Sequence, residues 1–200
     1  MDEMTSSTRS PRPAPALIDG VFTEDDFKRL SGLMAAQDHS VQNQSGFGRV
    51  GISDLDVPEL VEYANKARDI VRQTTGSETL LHTYTLYSYY YGNTANLPKH
   101  TDNNACTYTL DLMIRYGTAN WGLFVEGQEY FVEPNQGLVF YGNDQEHWRG
   151  DFPNPSNNGV AVIFFHYAEP DHWYFTKGRD YVNVINGTWT EAEWEKRHER

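Results

Sequence analysis

Apolar residues recur at helical spacing in two segments of the first third of the chain. Segment 23–37 has an apolar stripe, and Thr23 and Asp26 at its start have the spacing of a capping box. Segment 58–74 has the same periodicity and ends just before Gly76, a residue type common at helix C-termini. The pattern predicts two helices, whose apolar faces are Phe27, Leu30, Leu33 and Met34 in the first and Leu60, Val61, Ala64, Ala67, Ile70 and Val71 in the second.

From Glu78 onwards the pattern changes to short apolar and aromatic runs separated by Gly, Pro and Asn, which is typical of β-strands. Near the end of the chain, Thr190 and Glu193 have capping-box spacing and predict a short C-terminal helix. Helices followed by strands predict an α+β fold, mainly β, in which the strands close a sandwich or barrel against the N-terminal helices. The predicted strands lie within 80–92, 105–117, 121–127, 128–134, 137–143 and 159–170, with a hairpin around Gly127.

Length and composition predict one domain. Residues 1–15 are rich in Ser, Thr and Pro and are predicted to be a disordered arm, and residues 16–200 a single domain. A formal net charge of −12 argues against nucleic acid and anionic membranes as partners, because both require a positive surface. The start of the chain lacks the apolar region of a secretory signal, and the single Cys106 cannot form an internal disulfide. We therefore expect a cytoplasmic protein, of open oligomeric state.

His100 and Asp102 are the first candidates for metal ligands. In an extended backbone, residues two apart project to the same side, so both could hold one ion. His147 follows an apolar strand and a polar turn, and could supply a third ligand. Two His and one carboxylate form the facial triad of non-haem Fe(II) oxygenases, whereas zinc more often recruits a third His or a Cys. His82 and His166 lie within aromatic strands, where a hydrogen-bonded core position accounts for them.

The sequence from Leu80 to Asp171 resembles the Fe(II)/2-oxoglutarate-dependent oxygenases. The resemblance lies in Tyr-x-Gly before the first His, in His-x-Asp, in Pro-x-x-Gly-x-x-x-Tyr before the second His, and in the closing β-run. It is strongest to the small prolyl-hydroxylase-like branch and its uncharacterised bacterial relatives. It implies a double-stranded β-helix, a cupin-type jelly roll, with N-terminal supporting helices and a metal at its open mouth. It also implies that His100, Asp102 and His147 are the iron ligands and the catalytic residues.

The resemblance further implies a site for 2-oxoglutarate, with O2 as the second cosubstrate. Tyr90 matches a tyrosine that contacts the cosubstrate in relatives. Family members usually bind the far carboxylate of 2-oxoglutarate through an Arg or Lys about ten residues beyond the second His, but segment 150–176 contains neither. Arg149 is our first candidate for this anchor because it lies two residues beyond His147. Arg115 is the second, because alternation along its strand would place it beside Met113 and Asp111.

By the same resemblance, the expected activity is oxidation of an unactivated C–H bond, with release of succinate and CO2. Halogenating relatives have a small residue at the position of Asp102, so hydroxylation is the default, with desaturation and cyclisation as the open alternatives. The substrate is predicted to be a small molecule, such as an amino acid or natural-product intermediate, or a peptide side chain. Two alternatives stay open: a non-enzymatic metal-binding cupin module, and a metal isomerase or lyase that needs no cosubstrate. The aromatic residues considered for substrate contact are Tyr84, Tyr87, Trp121 and Trp148, although Tyr84 and Tyr87 should face opposite sides of their strand.

Overall fold

The computed structural model describes residues 12–37, 43–44, 48–153 and 159–198. Of the predicted arm, residues 1–11 lie outside this range. Arg12 contacts the rest of the protein, because its Nε lies 2.5 Å from Asp144 Oδ2, and Gln145 Nε2 donates to the carbonyl of Pro13. No helix in the described ranges is long and apolar enough to cross a membrane.

The helices follow the predicted periodicity closely. Thr23 caps the first helix through a hydrogen bond from Asp26 N to its Oγ1, and Gly76 ends the second with a φ of 73°. Thr190 and Glu193 form the predicted capping box, since each side chain accepts a hydrogen bond from the other residue's backbone. Two short α-helices and a 3₁₀ helix (Arg179–Tyr181) after the last strand were not predicted. The described helices are α1 (Glu24–Ala35), α2 (Leu60–Thr75), α3 (Trp173–Thr176), α4 (Val182–Ile185) and α5 (Glu191–His198).

Two antiparallel sheets form the rest of the fold. The larger sheet has the order β1-β9-β6-β11-β4-β3-β2, and the smaller has the order β5-β10-β7-β8. The strands are β1 (Ala16–Ile18), β2 (Asn43–Gln44), β3 (Arg49–Ser53), β4 (Leu81–Tyr90), β5 (Leu97–His100), β6 (Tyr108–Arg115), β7 (Leu123–Val125), β8 (Gln128–Tyr130), β9 (Gly137–Phe140), β10 (His147–Arg149) and β11 (Val160–Ala168).

The chain crosses repeatedly between the two sheets. From β4 onwards it alternates, with β5 in the small sheet, β6 in the large one, the β7–β8 hairpin in the small one, and so on to β11. This winding is a double-stranded β-helix, so the predicted jelly roll with N-terminal supporting helices is confirmed. The strands β5 and β10 lie next to each other in the small sheet, which brings together the two predicted histidine ligands.

Apolar side chains cover both faces of the large sheet. On the outer face, α1 and α2 bury residues such as Leu30, Met34 and Leu60 against Tyr87 and Phe165. Full burial of each such side chain stabilises the folded state by roughly 1.5–3 kcal/mol relative to leaving it exposed. On the inner face, a second cluster fills the space between the sheets at one end of the barrel. Its members include Tyr90, Met113, Trp121, Leu123, Leu138 and Val162. The other end stays open and contains the candidate site.

Candidate metal centre

The three predicted ligands converge at the open end of the barrel. His147, the first residue of β10, is the register partner of His100, the last residue of β5. The Nε2 atoms of His100 and His147 lie 3.6 and 3.5 Å from Oδ1 of Asp102, which follows β5 by two residues. The three potential ligand atoms all lie within 4.8 Å of one another. Two imidazoles and one carboxylate at these distances fit a single transition-metal ion and leave its other positions open.

Backbone carbonyls orient both imidazoles. Nδ1 of His100 lies 2.7 Å from the carbonyl oxygen of Pro98, and Nδ1 of His147 lies 2.9 Å from that of Gln145. A carbonyl oxygen can only accept, so each Nδ1 must carry a proton, which leaves each Nε2 as the ring nitrogen that would bind a metal. Hydrogen bonds of this kind, from the ring nitrogen that faces away from the site, fix the tautomer and the ring orientation of metal-binding histidines.

The position of Asp102 is fixed by its neighbours. Its backbone N–H donates to the carbonyl of Gly142 at 2.8 Å, and the Thr109 hydroxyl donates to its Oδ2 at 3.1 Å. Only glycine fits at position 142, because a Cβ there would overlap the Thr109 hydroxyl and the Asp102 carboxylate. Burial acts to raise the pKa of Asp102, but hydrogen bonds from His100 and His147 outweigh it and hold that pKa well below its usual range. The carboxylate is therefore charged, as a cation site requires.

A cavity of about 190 Å³ opens beside the three ligands. Apolar side chains from both sheets, such as Leu97 and Phe164, form part of its wall. Arg49 contributes a guanidinium to the same wall. The remaining lining residues are Tyr84, Leu86, Leu97, Thr109, Phe140, Phe164 and His166.

Arg49 is the functional candidate that sequence reasoning missed. It begins β3 and is the register partner of Tyr90 in β4, so the pairing of these strands turns both side chains towards the barrel interior. Arg49 Nη1 donates to the Tyr90 hydroxyl at 3.4 Å. Tyr90 itself is fully buried. No motif in the sequence signals Arg49, because it lies far upstream of His100 and reaches the cavity only through strand pairing.

Arg149 lies inside the barrel but outside this cavity lining. Its side chain is completely buried, and its Nη2 lies 2.7 Å from Oδ2 of the equally buried Asp111. A second nitrogen donates to the carbonyl oxygen of Trp121. The guanidinium is thus enclosed by these two contacts and does not line the cavity. This placement argues against the expected role of Arg149 as cosubstrate anchor.

Arg115 does not reach the cavity either. It is exposed, and its guanidinium lies over the ring of Tyr89 at 5.0 Å from the centroid. The strand pairing explains the difference from the expected alternation. Ala161 pairs with Arg115 whereas Val162 pairs with Met113, so the register shifts by one residue at this point. Beyond such a bulge the side chains lie on the opposite face of the sheet from the one that simple alternation predicts. Arg115 is therefore turned out of the barrel.

Of the four aromatic candidates for substrate contact, only Tyr84 lines the cavity. Tyr87 packs on the outer face of the large sheet, as strand alternation requires. Trp121 is buried in the inner cluster and donates its indole N–H to the carbonyl of Gly150. Trp148 stacks on Phe124 at 5.2 Å, away from the cavity lining. The neighbouring packing partners therefore keep three of the four away from the ligands.

His166 is the hydrogen-bonded core residue that the sequence predicted. It is 3% exposed, and its Nδ1 lies 3.1 Å from the Thr109 hydroxyl, which in turn donates to Asp102. Burial lowers the pKa of His166 to about 4, so its imidazole is neutral. His82 is similar, with its Nε2 at 2.8 Å from the Thr85 hydroxyl. A potential ligand atom of His166 also lies within 4.8 Å of those of Asp102 and Cys106, but the Thr109 hydroxyl already bridges His166 and Asp102.

Comparison with solved structures supports the assignment of the fold. A 2OG-Fe(II) oxygenase-family oxidoreductase from Burkholderia pseudomallei superposes with a TM-score of 0.61 at 9% identity, covering 77% of this chain and 84% of the other. HygX from Streptomyces hygroscopicus, with nickel and 2-oxoglutarate bound, gives 0.61 at 11% identity over 78% and 83% of the two chains. A prolyl-4-hydroxylase from Pseudomonas putida gives 0.54 at 13% identity over 78% and 92%.

The chain has the fold of the 2-oxoglutarate/Fe(II) oxygenases. No protein-family model matches the sequence. No curated protein sequence matches it significantly either. At identities this low the likeness concerns the double-stranded β-helix alone, and the chemistry has to be argued from the residues at the mouth of the barrel.

Proposed function

We propose that this protein is an Fe(II)- and 2-oxoglutarate-dependent dioxygenase that hydroxylates a C–H bond of a small molecule. The observation that carries the proposal is the convergence of His100, Asp102 and His147, with their potential ligand atoms within 4.8 Å of one another. The donor set suits Fe(II), and it lies beside a cavity large enough for a small cosubstrate. When bound, Fe(II) and 2-oxoglutarate would supply O2 activation, with one oxygen atom entering succinate and the other the substrate hydroxyl.

The residues around the triad would orient the ligands and exclude water. The carbonyls of Pro98 and Gln145 hold the two imidazoles, and the Thr109 hydroxyl holds the free oxygen of Asp102. Leu97, Phe140 and Phe164 form an apolar wall beside the ligands. A dry wall of this kind strengthens the electrostatic interactions at the site and limits side reactions with water.

We further propose Arg49, together with the hydroxyl of Tyr90, as the anchor for the far carboxylate of 2-oxoglutarate. Arg49 contributes the only guanidinium among the described residues that line the cavity. Its hydrogen bond to Tyr90 joins it to the residue that the sequence resemblance singled out. A guanidinium can bind a carboxylate with two parallel hydrogen bonds, and a buried dicarboxylate needs such a partner.

Succinate release from 2-oxoglutarate is the test of the proposed function. The purified protein with Fe(II), O2 and 2-oxoglutarate should form succinate slowly even without a substrate. The reaction should stop under anaerobic conditions, with a chelator, and in each of the variants His100→Ala, Asp102→Ala and His147→Ala. His198→Ala is the matched control, because His198 lies in α5 away from the site, and it should behave like the wild type.

The two alternatives predict different results. A non-enzymatic cupin would bind metal through the same triad without forming succinate, and a cosubstrate-independent isomerase or lyase would neither bind nor consume 2-oxoglutarate. Full metal loading without binding or turnover of 2-oxoglutarate would therefore contradict the proposal. Retention of stoichiometric iron in two of the three ligand variants would instead contradict the assignment of the triad.

A further inference from the structure

A second pocket lies next to the metal cavity, and we call it the C-terminal pocket. It has a volume of about 230 Å³. Tyr84 lines both this pocket and the metal cavity, so its side chain forms part of a common wall. The short helices that follow the last strand line its other side. Its lining residues are Tyr84, Asn103, Ala105, Trp173, Tyr174, Arg179 and Val182.

The shared wall is tied to the metal ligands. The Tyr84 hydroxyl lies 2.9 Å from Sγ of Cys106 and accepts a hydrogen bond from Nδ2 of Asn103 at 3.2 Å. Asn103 directly follows Asp102 in the chain. A ligand in the C-terminal pocket would thus lie one side chain away from the metal cavity, where a C–H bond has to be placed for oxidation.

The walls of the pocket are mainly aromatic and apolar. Tyr84, Trp173 and Tyr174 contribute rings, and Ala105 and Val182 contribute small apolar surfaces. Burial raises the pKa of Tyr174 to about 12, so its phenol is uncharged at neutral pH. A volume of about 230 Å³ is slightly below the roughly 300–1,000 Å³ of typical small-molecule sites. The pocket therefore fits a small apolar or aromatic body and not a folded partner.

Arg179 is the one charged residue among the described residues that line this pocket. Its Nη1 donates to Oδ1 of Asp54 at 3.2 Å, and the Asp54 side chain is only 6% exposed. This ion pair holds the guanidinium in place, over the ring of Tyr84 at 5.5 Å from the centroid. The other two guanidinium nitrogens, Nε and Nη2, make no hydrogen bond within the described part of the chain, so they can bind a carboxylate. No acidic side chain lines the pocket to bind an ammonium group.

From this arrangement we infer that the C-terminal pocket binds the substrate, and that the substrate is a small carboxylic acid with an apolar or aromatic body. Arg179 binds the carboxylate, Trp173 and Tyr174 pack against the body, and the far end of the molecule passes Tyr84 towards the metal. The inference rests on the proposed function. In the reaction a C–H bond of the acid becomes C–OH, while O2 is reduced and 2-oxoglutarate is oxidised to succinate and CO2.

The test compares acids with their amides. The full chain is loaded with Ni(II) and 2-oxoglutarate, which should prevent turnover, and is titrated calorimetrically with 3-phenylpropanoate, benzoate and hexanoate and with the corresponding amides. The wild type should bind at least one acid about tenfold or more tightly than its amide, as expected for a charge-assisted contact. Arg179→Gln should remove this preference and leave 2-oxoglutarate binding unchanged. Trp173→Ala should weaken acid and amide alike.

Two further variants control for folding. Arg197→Gln removes a guanidinium from α5, which does not line the pocket, and should leave the preference intact. Arg179→Lys keeps a positive charge beside Asp54 and should retain part of the preference for an acid over its amide. Equal affinity of the wild type for every acid and its amide would overturn the inference, as would an unchanged preference in a folded Arg179→Gln variant. Because succinate release needs no substrate, that assay separates failure of this inference from failure of the proposed function.

Discussion

Arg49 and Arg149 both point into the barrel, but they differ in what faces them. Arg149 is paired with Asp111, and both side chains are buried. Such a pair carries no net charge, and removing one partner of a buried pair typically costs about 3–5 kcal/mol. Arg49 instead lines the cavity itself, where Asp102 is the one acidic residue among the described lining residues. The two guanidiniums therefore suit different tasks, with Arg149 linking the sheets and Arg49 facing the cavity in which an anion would bind.

Replacement of Arg49 tests its proposed role in binding 2-oxoglutarate. Arg49→Ala should raise the apparent dissociation constant for 2-oxoglutarate at least about tenfold, or about 1.4 kcal/mol, because the far carboxylate loses its partner. Iron stoichiometry should change little, and Arg49→Lys should give an intermediate value. The measurement is an anaerobic titration of the Fe(II)-loaded protein, followed by the visible absorption of the chelate.

Arg115→Ala serves as the control for this titration, since Arg115 is exposed and lies over Tyr89. Its affinity for 2-oxoglutarate should equal that of the wild type. Unchanged affinity in Arg49→Ala, or a larger loss in Arg149→Ala with the fold intact, would place the anchor elsewhere.

At the level of elements, the strands with clear aromatic or apolar runs were predictable, including the short β7, β8 and β9, whereas β5 and β10 were not. β4, β6 and β11 contain eight to ten residues and show clear aromatic and apolar runs. β5 and β10 have four and three residues, too few to establish a period of two, and they form only because neighbouring strands pair with them. The triad was still predictable because His100 and Asp102 lie close in sequence. Arg49 was not, because only the pairing of β3 with β4 brings it to the site.

His166 in β11 makes the stability of the metal-free protein depend on pH. Burial lowers its pKa to about 4 in the folded chain, against an ordinary value of 6.5. The unfolded chain therefore takes up a proton that the folded chain does not, and the free energy of unfolding decreases as pH falls from about 6.5 to about 4. The full difference in the pKa of His166 between the two states corresponds to at most about 3 kcal/mol in the free energy of unfolding.

Urea unfolding of the metal-free wild type and of His166→Gln at several pH values measures this contribution. The wild type should lose more stability than the variant between about pH 6.5 and pH 4, because only the wild type has an imidazole at this position to titrate. Iron stoichiometry at pH 7.5 should be the same in both proteins. Parallel loss of stability in the two would show that His166 is not the titrating group, and loss of iron in a folded variant would make His166 a ligand.

On the scale of the whole molecule, the net charge acts in opposite directions on the two groups proposed to bind. The formal net charge of −12 attracts a divalent cation and repels the dianion 2-oxoglutarate at long range. At about 0.15 M salt this field is screened beyond about 8 Å, so local groups dominate binding. Binding of 2-oxoglutarate would therefore depend on the metal and on nearby guanidiniums. A metal at the triad would also join the two sheets, because its histidine ligands lie in the small sheet and Asp102 is held by Thr109 of β6 in the large one.

Metal binding should accordingly stabilise the whole fold. A ligand that binds only the folded state at a hundredfold excess over its dissociation constant adds about 2.7 kcal/mol, which for a chain of this length raises Tm by roughly 5–10 °C. Calorimetry of the protein with Mn(II) or Ni(II), compared with the protein in chelator, should show this increase. Asp102→Ala lacks the shared carboxylate, so its Tm should change by only a small part of that amount, whereas the control His198→Ala should respond like the wild type. An equal rise in Tm for Asp102→Ala would mean that the stabilising metal binds outside the triad.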